Sequence, residues 1–131
     1  MSQKLVVSVD ASEGGPELVT VQDVLTHVIE LFQLVTESDP LNEDLIAWKL
    51  VSATMNSPFT VTAEAVPRYP NVAIDRIAAS QVESFVSNYS ELKEGRIPAA
   101  WSGDKPRKTV TRLLARSRFL INHASIRSVD G

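Results

Sequence analysis

Apolar residues in this chain change their spacing along its length, from every second residue to every third or fourth and back, which restricts the fold to strands interleaved with amphipathic helices. Leu5, Val7 and Val9 alternate with Val6 and Ser8, the spacing of a strand with one buried face that ends at Asp10. Residues 10–16 contain Ser12, Gly14, Gly15 and Pro16 and predict a loop. From Val21 the period lengthens, and Val21, Val24, Leu25, Val28, Phe32 and Val35 form one stripe with Asp23, Glu30 and Glu37 away from it. Thr20 followed three residues later by Asp23 is a variant capping box, so the spacing predicts a helix over 20–37. Ser38-Asp39-Pro40 closes it, because proline cannot donate the next helical hydrogen bond.

Ile46, Trp48 and Leu50, then Phe59, Val61, Ala63 and Ala65, return to a period of two, and the turn-forming Asn56-Ser57-Pro58 between them predicts an antiparallel hairpin. Pro67 and Pro70 mark a loop. Behind an expected Asn71 cap, Ile74, Ile77, Ala78, Val82, Phe85, Val86 and Tyr89 predict a second helix that stops near Glu94-Gly95. A third helix is expected behind Asp104, with Pro106 in its first turn and Val110, Leu113, Leu114, Ser117, Leu120 and Ile121 on its buried stripe. Ile126 and Val129 make residues 124–129 a weak strand candidate. The resulting order, β-α-β-β-α-α-β, predicts a single α+β domain. Its expected architecture is a two-layer sandwich, ferredoxin-like or related, with helices on one face of a mainly antiparallel sheet.

With 131 residues the chain can bury roughly two thirds of its unfolded surface in one core and needs no staple. The absence of cysteine removes thiolate catalysis and Cys-based zinc sites and favours a reducing compartment. The opening run lacks the long apolar stretch of a signal peptide, and no segment is apolar over a bilayer's width, so a cytoplasmic protein without membrane contact is expected. Ser128-Val129-Asp130-Gly131 ends on an Asp-Gly pair, the strongest short signal for a hairpin turn. That ending predicts the N-terminal portion of a longer protein, with the partner of the last strand lying beyond residue 131.

The net charge of −3 conceals a division along the chain. Residues 1–45 set Lys4 against nine carboxylates, a balance of −8, whereas residues 105–131 set seven cations against Asp130, a balance of +6. The cations Lys105, Arg107, Lys108, Arg112, Arg116 and Arg118 cluster on the third helix. They give two expectations: a protein-interaction or self-association module whose acidic and basic parts meet between copies or partners, or a helix that binds nucleic acid by counterion release. The lack of interleaved aromatics, with only Trp101 and Phe119 near these cations, weighs against single-strand binding. Trp101, in a Pro/Gly-rich stretch, is a candidate interface anchor; the competing reading folds it back onto the core.

Other chemical leads are thinner. Asp10 at the end of the first strand, followed by Ser12, Gly14 and Gly15, resembles a ligand-binding strand-to-helix loop. It has no G-x-G-x-x-G and no P-loop lysine, and Glu13 and Glu17 would repel an anion. His27 and His123 lack ligand spacing and are expected to be partly exposed with ordinary hydrogen bonds. No serine sits in a G-x-S-x-G elbow, and Ser90-x-x-Lys93 falls at the end of a helix. The expectation is therefore a non-enzymatic protein with no cofactor, a small ligand at the Asp10 loop being the weaker alternative.

Overall fold

A computed structural model describes residues 3–10, 19–54, 56 and 58–130. Its elements are β1 (Gln3–Val9), α1 (Val21–Glu37), β2 (Ile46–Ala53), β3 (Phe59–Pro67), α2 (Ile74–Lys93), α3 (Asp104–His123) and β4 (Ala124–Asp130), with a short 3-10 turn at Ala99–Trp101. The strands form one sheet in the order β2-β3-β1-β4, every neighbouring pair antiparallel. β3 is inserted between β1 and β2, and β1 between β3 and β4. This is the split-βαβ layout of a ferredoxin-like sandwich, with two helices in the second crossover.

Period two sorts the sheet into its faces. Leu5, Val7 and Val9 pair with Ala63, Val61 and Phe59, and these six residues enter one buried cluster with α1, α2 and α3. The alternate residues Lys4, Ser8, Thr60, Thr62, Glu64 and Arg127 form the opposite, polar face. A smaller buried cluster, Ile46, Ala65 and Ala78, joins β2 and β3 to α2.

The expected capping box of α1 is present: Asp23 N donates to Thr20 Oγ1 at 3.2 Å and Thr20 N to Asp23 Oδ2 at 2.9 Å. The other two expected caps are corrected. α2 starts behind Ala73, while Asn71 takes a left-handed φ of 66° in the preceding turn, a conformation Asn tolerates through its short polar side chain. Asp104 is the first residue of α3 rather than its cap, and its carboxylate sits in the first turn where the helix dipole favours it.

β4 is also corrected. Its partner is β1 of this same chain, in register from Gln3↔Asp130 to Val9↔Ala124. It follows α3 without a linking residue. Tyr89 Oη donates to Ile121 O at 3.2 Å, Lys93 Nζ to Ala124 O at 2.9 Å and Asp10 N to His123 O at 3.2 Å, so α2 and the end of β1 hold this junction. No helix among the described residues is long and apolar enough to cross a membrane.

Candidate interaction surfaces

The acidic and basic parts of the sequence meet inside the chain, along the seam between α1 and α3. The two helices run antiparallel, so ascending positions on α3 meet descending positions on α1. Thr109 Oγ1 donates to Glu37 Oε2 at 2.8 Å, Arg112 reaches Gln33 Oε1 at 3.5 Å, and Arg116 forms an ion pair with Glu30. Lys105 continues the line to Glu43 at 3.2 Å. Glu30 is only 6 % exposed although the sequence stripe placed it outside. A signal for this was present: Leu31 and Leu34, both fully buried, lie beside the stripe and widen the apolar arc of α1 until it must be covered from two sides.

This seam redistributes the cations singled out in the sequence. Lys105, Arg112 and Arg116 are engaged by α1 or the residues after it. Arg107, Lys108 and Arg118 stay exposed and have no side-chain hydrogen bond or ion pair among the described residues. Arg107 and Arg118 are eleven positions apart, so they share a helix face at a separation of about 16 Å. Asp104, Arg107, Lys108, Thr111 and Arg112 line a shallow hollow of about 630 Å³.

Trp101 is not a surface anchor. It is fully buried, with its ring 5.7 Å from that of Phe85, so the 3-10 turn turns it inward and closes the core beside α3. Trp48 is half-buried between layers: it stacks 6.2 Å from Phe32 and donates Nε1–H to Gln81 Oε1 at 2.9 Å. Gln81 in turn donates to Asp39 Oδ2 at 3.1 Å, tying β2 through α2 to the end of α1.

Beside Trp48 runs a groove of about 340 Å³, lined by Ile29, Phe32, Gln33, Thr36, Ala47, Leu50 and Arg68 as well. Ile29 is 47 % and Leu50 40 % exposed, large apolar side chains left uncovered at the rim. Arg68 is the one charged residue of this lining and has no side-chain hydrogen bond or ion pair among the described residues. The groove borders the outer edge of β2, which no other strand of the described sheet pairs. Lys49 stands mid-strand on that edge, and the register shifts between Leu50 and Ser52.

The remaining leads fall as follows. Ser12, Gly14 and Gly15 lie outside the described residues, and Asp10 fixes the end of β1 to the end of α3 through its backbone N–H. His123, half-buried, packs 4.3 Å from the ring of Phe119. His27 reverses its expectation: it is fully buried, and neither ring nitrogen has a hydrogen-bond partner among the described residues. Burial disfavours its cation and pushes its pKa down to about 4. Among the described residues no three His, Asp or Glu side chains gather as a metal site would require.

Fold and surfaces together define an α+β sandwich with an open sheet edge beside an uncovered apolar groove. In comparisons with known proteins, no family model, no curated protein and no solved structure matches the chain.

Proposed function

We propose that this chain is a non-enzymatic interaction module that binds an extended, apolar and acidic segment of a partner protein along the outer edge of β2. One observation carries the reading: an unpaired strand edge adjoins a groove whose walls are Ile29, Phe32, Trp48 and Leu50 and whose only charge is Arg68. Main-chain hydrogen bonds to an edge strand supply affinity in such recognition, and pockets for alternate side chains supply specificity. Apolar side chains of the added strand would cover Leu50 and Ile29, while an acidic one would meet Arg68 or Lys49.

Charge also argues for a different partner rather than a second copy. Lys49 sits mid-strand on one open edge and Arg127 on the other, β4. A centred antiparallel pairing of β4 with itself would set Arg127 opposite its copy, and a cation on an open edge is a device that keeps edges from self-association. A meeting of acidic and basic surfaces between copies has fewer groups to draw on, because Lys105 and Arg116 already pair with Glu43 and Glu30, and Glu37 accepts from Thr109, within the chain.

Selection from a random unstructured peptide library tests this reading, with a Leu50→Lys, Arg68→Glu double variant as the comparison. Selected peptides are expected to alternate apolar and acidic residues, to perturb the amides of residues 47–53, and to bind the double variant at least tenfold more weakly. Peptides that bind both proteins equally would show that the β2 edge is not the site.

A further inference from the structure

Going beyond the β2 edge, we infer that the hollow between the end of α2 and the second half of α3 is a binding site for a small apolar carboxylate. Leu92, Lys93, Gly95, Ile97, Leu114, Arg118, Ile121 and Asn122 enclose about 270 Å³. Its construction begins with the end of α2. Gly95 adopts a left-handed φ of 87°, which costs glycine nothing, and donates its N–H to Leu92 O at 3.0 Å, while Arg96 N–H reaches back to Glu91 O at 3.1 Å. That closure turns the chain so that Ile97 lines the hollow. Ile97 is 49 % exposed, an aliphatic side chain with nothing over it. Leu92 and Ile121 are buried and Leu114 is half-buried, so the floor is aliphatic.

Each polar side chain at this site is able to donate. Arg118 is exposed and unpaired among the described residues, Asn122 follows it by one helical turn, and Lys93 is held by its hydrogen bond to Ala124 O with further N–H groups to spare. No carboxylate lines the hollow, and the neighbouring Glu94 is already paired with Arg96. An aliphatic floor with an unanswered guanidinium above it matches one chemistry: an anion with planar oxygens, which an arginine binds bidentately, carried on a short hydrocarbon body. The hollow is half open and suits a ligand body about the size of hexanoate or benzoate. A longer chain would leave its end in solvent.

Titration of the isotope-labelled chain with hexanoate and benzoate, followed by its amide resonances, tests the assignment, with hexylamine and hexanol as matched controls. Saturable shifts confined to residues 92–97 and 114–122 are expected for the two carboxylates. The amine and the alcohol are expected to bind at least tenfold more weakly. Arg118→Gln, an exposed position with no partner to lose, is expected to keep the thermal midpoint and lose at least tenfold in carboxylate affinity. The Leu50→Lys, Arg68→Glu variant should bind hexanoate unchanged, which separates this site from the β2 edge. Absence of saturable shifts, equal binding of hexylamine or hexanol, or undiminished affinity in Arg118→Gln would overturn the proposal.

Discussion

His27 is a residue at which the fold accepts a local cost. A fully buried imidazole with both nitrogens unpartnered carries an unmet desolvation penalty, and its proton has to be given up on folding. In the unfolded chain His27 titrates near 6.5 and in the folded chain near 4. The folded state therefore binds fewer protons between these values, and its stability falls as pH drops through that window, by about 3 kcal/mol in all. Above pH 6.5 the contribution is complete. His27→Leu, which keeps an apolar side chain of similar bulk, is expected to flatten this part of the profile. Urea midpoints of the two proteins at pH 7 and pH 4.5 check it: their difference should grow in favour of the leucine variant on acidification.

At the scale of elements, α1 and α3 form the seam on which the charge division of the sequence is spent. Reversing Arg112 and Arg116 to Glu places new carboxylates beside Gln33 and the buried Glu30, leaving the latter unpaired, and is expected to cost roughly 2–4 kcal/mol of stability. Reversing Arg107 and Lys108, which answer no other side chain, is expected to stay within about 0.5 kcal/mol. Chemical denaturation of the two double variants separates these outcomes. The stripes of α1, α2 and α3 and the alternations of β1, β2 and β3 were legible because each reflects one dominant neighbour, the core. What escaped needed a second neighbour. Glu30 and His27 lie on the side of α1 that α3 covers, and no periodicity in α1 announces where α3 will dock. Asn71 and Asp104 have capping chemistry, but whether a side chain caps depends on the backbone angle one or two residues away. Trp101 sits among Pro and Gly, whose composition says loop without saying which way the ring turns. Of the candidate surfaces, Arg118 was legible as one of six cations on α3, though nothing in the sequence told the free ones from those that pair with α1. The groove by β2 was not, since Ile29 and Leu50 look like core residues until α1 and β2 are set side by side.

For the whole molecule, the internal pairing of charges leaves a nucleic-acid backbone few groups to bind. With Arg107, Lys108 and Arg118 as the free cations of α3, binding to a random single-stranded oligonucleotide at physiological salt is expected to be undetectable by fluorescence anisotropy, because each lost phosphate contact removes a share of the counterion release that drives such binding. The sheet has a consequence of another kind. Because Gln3 pairs with Asp130, the beginning of β1 and the end of β4 are bridged by adjacent main chains rather than lying on opposite sides of the sandwich. A few flexible residues between these two positions would convert the chain into a covalent ring without moving a strand, and the ring could be reopened in the turn after β2 with the sheet order preserved. In such a permuted chain β1 and the edge strand β4 become a local hairpin, while β2 and β3 become remote in sequence. One local strand pairing is exchanged for another and two pairings stay remote in either chain, so refolding is expected to keep a rate close to the parent's, which stopped-flow fluorescence of Trp48 and Trp101 would register.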